Sequence, residues 1–265
     1  KKKLKKKIPL NSKINGASIN SKKIKKNDIF FAIKGKKNDG NNFIKESLDK
    51  GASFAVVNKI DRSTKVSKQL LVKDSLKSLT NISEKVRLNS LAKVIAITGS
   101  CGKTSLKELL GNIFGKISKV SYSPKSYNNK YGVPLSIFNI NKYDDFNIFE
   151  IGMDKKGEID LLSKIIKPDV GVITNISYAH AKNFKNLNQI ADAKSEIINN
   201  INSNGYLVLN ADDVFFKKQK KIALKKNLKI YSFSLRKSNT SVYIKKIIKL
   251  KNKYKILINI NNKKK

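Results

Sequence analysis

The chain contains little sulfur and no tryptophan: among its 265 residues there are one cysteine, one methionine and one histidine. The single cysteine, Cys101, excludes an internal disulfide and fits a reducing compartment. No run of about 18 apolar residues occurs, so the sequence predicts no membrane-spanning helix. The basic start at residues 1–7 is not followed by an apolar segment, so we expect no signal peptide. These absences predict a cytoplasmic protein without membrane insertion.

Acidic residues are scarce, with 19 against 57 basic residues and a formal net charge of +38. Such a charge invites a nucleic-acid interpretation. However, only Arg62, Arg87 and Arg236 are arginines, and arginine is the usual reader of bases. Residues 144–213 hold 11 acids against 7 lysines, whereas 214–265 hold 18 basic residues and no acid. The site-like motifs described below lie outside the basic end, so we expect no nucleic-acid partner. A basic nucleic-acid-binding NTPase stays open as an alternative.

The first part of the chain predicts a small α/β unit. Apolar runs at 28–33 and 54–57 indicate strands, and residues 43–50 have helical spacing with Gly51 as a stop. Residues 61–90 predict a connecting helix, with Leu76, Leu79, Ile82 and Val86 on one face. We therefore place a domain boundary near residue 88, giving domains 1–88 and 89–265.

From residue 94 onward, apolar strand patterns alternate with helical patterns. This alternation predicts a parallel, doubly wound α/β sheet, in which ligands bind at the carboxyl ends of the strands. Two further strands joined by a short turn are predicted at the end of the chain. The predicted strands are 94–97, 146–151, 170–176, 206–209, 241–250 and 254–260, and helices are predicted at 157–166 and 187–201.

The most informative segment is residues 98–104 (TGSCGKT), which lies between the strand at 94–97 and a helical pattern at Leu106, Leu109, Leu110 and Ile113. A strand, a glycine turn and Lys-Thr opening a helix form a phosphate cradle, because backbone N–H groups and the helix N-terminus face the anion. Lys103 can reach β/γ-phosphates, and the Thr104 hydroxyl can bind Mg²⁺. Ile97 stands where the Walker motif has its first glycine, so the loop is a shortened variant.

Further candidates lie at predicted strand ends. Glu150 could face the loop and bind Mg²⁺, or could be a solvated acid. His180 and Lys194 could serve the site or be structural or surface residues. Two polar turns could contact a ligand or merely cap or turn the chain: residues 128–134 (NNKYGVP) and 210–213 (NADD).

Together these segments resemble the Mur ligase family. The resemblance rests on the shortened loop, on residues 127–135 (YNNKYGVPL), on 150–153 (EIGM) with 157–159 (GEI), and on the order of Asn175, His180, Lys194 and 210–213. The N-terminal segments 18–22 (SINSK), 28–35 (DIFFAIKG) and 38–43 (NDGNNF) resemble the family's nucleotide-sugar-binding segments. The family fold implied is a small N-terminal α/β domain followed by an ATPase domain of the phosphate-loop type, here incomplete at its C-terminal end.

The resemblance also implies residue roles. Lys103, Lys194 and His180 would be catalytic, with Lys194 carbamylated, and Thr104, Glu150 and His180 would bind Mg²⁺. Nucleotide contacts would come from Thr98, Gly99, Ser100, Cys101, Gly102, Lys103, Thr104, Asn129, Asn175 and Asp212. The UDP-precursor would be bound by Ser21, Lys34, Asp39, Gly40 and Phe43.

The activity that the resemblance implies is an ATP- and Mg²⁺-dependent joining of D-alanyl-D-alanine to UDP-MurNAc-tripeptide through an acyl phosphate. The alternative within the family is the enzyme that adds the third amino acid. We expect a monomer. Family members have a third, C-terminal domain, and the chain neither starts with Met nor reaches that domain. We therefore expect a fragment or a natural truncation that is inactive alone as a ligase.

Overall fold

The computed structural model describes residues 14–35, 38–178, 183–260 and the backbone of 263–264. It contains two compact units. One comprises the chain up to Asn89 together with Pro134–Asn139, and the other comprises Ser90–Val133 and Ile140–Lys265. Each unit is described by itself.

The N-terminal unit is built on a four-stranded parallel sheet in the order β1-β2-β3-β4. Its central strands are apolar along most of their length and buried on both faces, as is typical of parallel sheets. Phe30, Ala55 and Val57 pack against Ile44 in the core. The strands are β1 Gly16–Ser18, β2 Asp28–Phe31, β3 Phe54–Val57 and β4 Gln69–Leu71; the helices are α1 Ile44–Asp49 and α2 Ser75–Leu88.

The prediction of strands and a helix over 28–57 is confirmed, and the helix predicted within 61–90 is α2. The same stretch also contains β4, which the sequence did not predict. This strand has only three residues, and a segment that short carries too little alternation to reveal a strand. Asp74 starts α2 by accepting a hydrogen bond from the backbone N–H of Lys77 at 2.9 Å.

The second unit is a nine-stranded sheet in the order β13-β12-β11-β10-β9-β8-β5-β7-β6, with helices joining its strands. The strands are β5 Lys93–Thr98, β6 Val120–Tyr122, β7 Phe146–Glu150, β8 Val170–Ile173, β9 Tyr206–Asn210, β10 Lys229–Ser234, β11 Val242–Leu250, β12 Lys253–Ile260 and β13 Lys263–Lys264. The helices are α3 Lys103–Phe114, α5 Glu158–Ile166, α6 Leu187–Ser195 and α7 Phe216–Lys225. A further helix, α4 Gly132–Phe138, begins in this unit, and its residues from Pro134 onward are assigned to the N-terminal unit.

Strands β5 to β11 pair in parallel, and only β11–β12 and β12–β13 are antiparallel. The prediction of an α/β, doubly wound parallel sheet is therefore confirmed. β5 lies between β7 and β8, so the order of the strands reverses at β5. Open α/β sheets bind ligands in the crevice outside the carboxyl ends of the strands at such a reversal, and residues 98–104 lie there.

Helix α3 buries a different face from the one predicted. Leu106 and Leu110 pack against the core cluster around Ile97, but Leu109 and Ile113 are 55% and 47% exposed. Lys103, Lys107 and Gly111 are buried instead. The two lysines find acceptors inside the fold, and hydrophobic spacing alone cannot predict that a charged side chain will be buried.

Other boundaries differ in ways that concern the site. The predicted polar turn at 128–134 is a turn that continues into α4. β8 ends at Ile173 rather than 176, because residues 174–177 leave the sheet to contact the phosphate loop. Within the described residues, no helix combines the length and apolarity needed to cross a bilayer.

Candidate nucleotide and metal site

Residues 98–104 form a tight loop between β5 and α3, and its conformation depends on two glycines. Gly99 has a backbone φ of +142° and Gly102 has one of +81°, values that residues other than glycine rarely adopt. A Cβ at Gly99 would lie 1.9 Å from Oγ1 of Thr174, whereas one at Gly102 would meet nothing within 4 Å. The loop therefore brings its backbone against the segment after β8 and presents the N-terminus of α3 to a ligand.

The segment that follows β8 holds the loop in place. The backbone N–H of Cys101 donates to Oδ1 of Asn175 at 3.0 Å, and that of Ser100 donates to the Asn175 carbonyl at 2.9 Å. The Thr174 hydroxyl donates to the Cys101 carbonyl at 2.6 Å, and the backbone N–H of Ser177 donates to Oγ of Ser100 at 2.8 Å. Asn175 thus lies against the loop.

Thr104 and Glu150 contact each other beneath the loop. The Thr104 hydroxyl, in the first turn of α3, donates to Oε2 of Glu150 at 2.7 Å. Glu150 is buried at the end of β7, opposite Ile97 of β5 in the register. Nδ2 of Asn128 donates to the other carboxylate oxygen, Oε1, at 2.7 Å. The arrangement places a hydroxyl and a carboxylate side by side at the strand ends.

Two lysine ammonium groups meet at one carbonyl of the loop. Nζ of Lys103 donates to the carbonyl of Gly99 at 2.8 Å and to that of Ser100 at 3.2 Å. Nζ of Lys194, from α6, also donates to the Gly99 carbonyl, at 2.9 Å. Burial and, to a smaller extent, repulsion from Lys103 together lower the pKa of Lys194 from 10.5 to about 8, and Cys101 partly opposes them. Two cationic side chains therefore lie at the loop, and one of them loses its proton more readily than an ordinary lysine.

A cavity of about 410 Å³ opens beside these two lysines. Its wall contains apolar side chains from Met153, Leu161 and Leu162, and polar groups from the turn at 128–131. Lys103, Lys194 and Asn129 also line it. The combination of an apolar wall and a few charged groups is typical of small-molecule sites.

The hydrogen bonds of two predicted nucleotide contacts are made within the protein rather than with the loop. The side chain of Asn129 accepts hydrogen bonds from the backbone N–H groups of Tyr131 and Gly132 before α4. Asp212 accepts from the Ser234 hydroxyl and the Leu235 N–H. Its burial raises the carboxyl pKa, but these hydrogen bonds outweigh that effect and lower the pKa. His180 lies outside the described residues.

The side chain of Thr98, at the end of β5 where the loop begins, is fully buried. Asp213, next to Asp212, reaches the site segment, because its Oδ2 accepts from the Ile176 N–H at 2.7 Å. The sequence analysis included Asn128 and Asp213 in its candidate turns, 128–134 and 210–213, without assigning them a role, and it did not select Thr174. All three follow strands or lie in the turn that faces a strand end, and that position is the signal that could have found them.

The residues predicted to bind a precursor all belong to the N-terminal unit. Lys34 and Asp39 form an isolated antiparallel bridge, and Asp39 accepts from the backbone and side chain of Asn41, which lowers its pKa. Gly40 and Phe43 begin and end the short 3₁₀ helix that follows, and Phe43 is 38% exposed. Ser21 donates to Glu46 at 2.8 Å. A cavity of about 840 Å³ adjoins the same 3₁₀ helix.

The fold and the loop define the class of protein. The family model described as the Mur ligase middle domain matches residues 97–265, and the model described as the Mur ligase family, catalytic domain, matches residues 13–98. The chain belongs to the Mur ligase family.

Comparisons with individual proteins give a more specific similarity than the family models do. The chain is 38% identical over 222 residues to UDP-N-acetylmuramoyl-tripeptide–D-alanyl-D-alanine ligase of Rickettsia prowazekii, a match that covers 83% of this chain and 49% of the relative. A crystal structure of MurF from Acinetobacter baumannii superposes with a TM-score of 0.83 at 30% identity, over 93% of this chain and 53% of that one. MurF from Thermotoga maritima, in complex with ADP, superposes with a TM-score of 0.80 at 28% identity. That match covers 94% of this chain and 56% of the Thermotoga chain. The chain spans about half the length of the relatives that it matches.

Proposed function

We propose that this chain forms the precursor-binding and ATP-binding parts of a ligase that joins D-alanyl-D-alanine to UDP-MurNAc-tripeptide. The printed names of the relatives support the reaction, and the ADP complex of one of them supports the nucleotide. The observation that carries the proposal is the group of Thr104, Glu150, Lys103 and Lys194 at the phosphate loop. We also propose that the protein is a cytoplasmic monomer, consistent with its precursor-ligase role.

The donor set at the loop fits Mg²⁺. Mg²⁺ takes hard oxygen ligands, usually one or two carboxylates together with substrate phosphates and water. Thr104 and Glu150 supply a hydroxyl and a carboxylate oxygen 2.7 Å apart. Among the described residues, no group of three or more His, Cys, Asp or Glu side chains could hold a metal alone. When bound, Mg²⁺ would neutralise phosphate charge; Thr104 and Glu150 would hold it, and His180 would assist with a second ion.

In the proposed reaction, the terminal carboxylate of the tripeptide accepts the γ-phosphoryl group, and the resulting acyl phosphate is attacked by the D-alanyl-D-alanine amine. An N–C bond forms, the C–O bond to phosphate breaks, and the amine loses a proton. Lys103 would hold the β/γ-phosphates and balance their charge. The loop N–H groups from 99 to 104 would orient the nucleotide, with Asn175 holding the loop. Nucleotide contacts from Asn129 and Asp212 stay predictions.

Lys194 suits the carbamylation that we propose for it. A neutral amine attacks CO₂, an N–C bond forms and a proton leaves, which turns a cation into an anion. A pKa of about 8 provides far more neutral amine near neutral pH than an ordinary lysine with a pKa of 10.5. A carbamate would also relieve the repulsion between Lys194 and Lys103. It would add an anionic oxygen ligand beside the proposed metal site.

The N-terminal unit would bind the UDP-precursor. The N-terminal unit provides a hydroxyl, an ammonium, a carboxylate, backbone groups and an exposed ring, from Ser21, Lys34, Asp39, Gly40 and Phe43. Such a set can contact a diphosphate, a ribose and a base. Because the side chains of Ser21 and Asp39 already accept or donate hydrogen bonds within the unit, their positions are fixed before a ligand binds.

ADP release in the complete gene product tests the proposal. We expect release with UDP-MurNAc-tripeptide, ATP and Mg²⁺ to depend on D-alanyl-D-alanine. Lys103→Met should abolish it, whereas Lys116→Met, which removes an exposed lysine just after α3, should leave it unchanged. Release with UDP-MurNAc-dipeptide and a free amino acid instead would favour the family member that adds the third residue.

A further inference from the structure

Lys107 is a fully buried lysine that the proposed chemistry does not use. It lies on α3, one turn after Thr104, and its side chain is 0% exposed. Lysine is almost never fully buried unless its charge is paired, because removing an ammonium group from water is costly. Because most lysines of the described chain are at least partly exposed, the complete burial of Lys107 requires a specific structural explanation.

The ammonium group of Lys107 is fully partnered. A lysine has three N–H donors, and the structure gives an acceptor to each. Nζ donates to the carbonyl of Ser123 at 2.6 Å and to the carbonyl of Lys125, and it lies 3.0 Å from Oε1 of Glu108. Two of the three partners are therefore backbone carbonyls of one segment, residues 123–128, between β6 and α4.

That segment holds the carboxylate of Glu150. Oγ of Ser123 accepts from the Glu150 backbone N–H at 3.3 Å, and Nδ2 of Asn128 donates to Oε1 of Glu150 at 2.7 Å. The Asn128 carbonyl accepts from the Gly152 N–H at 2.7 Å, just after β7. The segment thus determines which oxygen of Glu150 faces Thr104.

The backbone of the segment also needs an external restraint. Lys125 has φ +49°, a left-handed conformation that is unfavourable for a residue with a side chain. Its carbonyl is one of the two that accept from Lys107. The buried ammonium thereby stabilises a turn that would otherwise relax and move Asn128.

We propose that Lys107 is a positioning residue for the metal site: it holds residues 123–128 so that Asn128 and Ser123 keep Glu150 directed at Thr104. The proposal rests on the proposed function, which assigns Thr104 and Glu150 to Mg²⁺. Lys107 itself touches neither nucleotide nor metal. Its effect is transmitted through the segment to one carboxylate.

Calorimetric ADP binding to the 265-residue chain, with and without Mg²⁺, tests this role. Lys107→Met should reduce the Mg²⁺-dependent gain in ADP affinity by roughly tenfold, as expected for a residue that orients a metal ligand. Affinity without Mg²⁺ should change less than about twofold, because the loop N–H groups that bind phosphate are intact. Lys107→Arg, which can still donate to two carbonyls, should restore most of the gain. Lys116→Met is the matched control and should behave as the wild type.

A second variant keeps the test decisive if Lys107→Met does not fold. Asn128→Ala leaves Lys107 in place and removes the hydrogen bond to Glu150, so it should lose the same Mg²⁺-dependent gain. Where both variants fold, the double variant should lose little more than either one, because both act through the same carboxylate.

The outcomes separate the two proposals. A wild-type chain without any Mg²⁺-dependent gain would overturn both the proposed function and this role. A wild-type chain with the gain and a Lys107→Met or Asn128→Ala variant that keeps it would overturn the positioning role alone. An equal loss of affinity with and without Mg²⁺ would also overturn it, because that pattern indicates a general disturbance of the loop.

Discussion

At the scale of single residues, the site depends on charges that are costly to bury. Lys103 and Lys194 both donate to the Gly99 carbonyl, and within the described part of the chain their ammonium groups hydrogen-bond to backbone carbonyls rather than to acidic side chains. Burial and the neighbouring ammonium lower the pKa of Lys194 to about 8. Such an arrangement is unfavourable for the free protein and becomes favourable when an anion such as a polyphosphate binds. The unfavourable burial of these charges should therefore be measurable as a loss of stability in the free chain.

Lys194 makes the stability of the chain depend on pH. Between about 8 and 10.5 the folded chain has lost the Lys194 proton while the unfolded chain still binds it, so stability rises with pH in that window. Below about pH 8 Lys194 is protonated in the folded chain as well, and keeping this buried charge costs on the order of 3 kcal/mol of unfolding free energy. We expect the unfolding free energy of wild type to increase relative to that of Lys194→Met as pH rises from about 7.5 to about 10. Urea unfolding at several pH values measures this.

Lys185→Met provides the control, because Lys185 is exposed just before the same helix. The difference between wild type and this variant should not change with pH over the same range. Parallel pH curves for wild type and Lys194→Met would contradict the assigned pKa.

The two loop glycines should respond differently to alanine. At Gly99 the new methyl group would overlap the Thr174 side chain and the residue would also be strained, so Gly99→Ala should lose at least about 3 kcal/mol of unfolding free energy. At Gly102 only backbone strain applies, and Gly102→Ala should lose about 1 kcal/mol. Chemical denaturation of both variants gives the comparison. Equal losses would show that Thr174 can move aside.

At the scale of elements, helix α6 carries Lys194 to the loop and depends on its first turn. The side chain of Asn186 accepts from the Gln189 N–H at 3.0 Å, and Oε1 of Gln189 accepts from the Lys185 N–H at 2.9 Å. This pair resembles a capping box, except that Gln189 accepts from Lys185, the residue before the N-cap Asn186. Asn186→Ala should reduce the unfolding free energy by about 1 kcal/mol, and Asn186→Asp, which keeps the acceptor, should retain most of it. Urea denaturation of the two variants measures this difference. If Asn186→Ala were as stable as Asn186→Asp, the side chain of Asn186 would have no role as a cap.

Elements with long apolar patterns were predictable, and short or polar ones were not. The strands at 54–57 and 146–150 and the helix at 158–166 follow directly from buried apolar runs and helical spacing. β4 and β6 have three residues each and were missed. Helix α4 was predicted as a turn because Gly132 and Pro134 disfavour helix interiors, although Pro is tolerated in a first turn. Tertiary contacts, rather than local preference, decide such segments.

At the scale of the whole molecule, the net charge of +38 opposes the compact state. Residues 214–265 contain no acid, so any relief of the repulsion there must come from carboxylates elsewhere in the chain, such as Asp192, which pairs with Lys218. Salt screens exposed charges, with a Debye length of about 30 Å at 0.01 M and about 8 Å at 0.15 M. We expect the unfolding free energy to rise between about 0.01 M and about 0.15 M NaCl.

Replacing the exposed Lys251, Lys253 and Lys255 together with glutamine provides the comparison. The triple variant should have a weaker dependence on salt, because part of the repulsion is gone. Denaturation curves for both proteins at each salt concentration measure it. An unfolding free energy that is unchanged or falls with salt would show that specific ion pairs, rather than repulsion, dominate.

The sequence by itself determined several of the strands and helices in both units, the phosphate loop and the resemblance to the family, because these depend on hydrophobic periodicity and on glycine, lysine and threonine at fixed spacing. Only the tertiary structure decided which side chains meet. Glu150 contacts Thr104 across 46 positions of sequence, and Lys194 reaches Gly99 across 95. Such distances are closed by the parallel register of β5, β7 and β8, which no local pattern encodes. The packing of α3 against β6 and β7 also buries Lys107, a residue that composition alone would place in water.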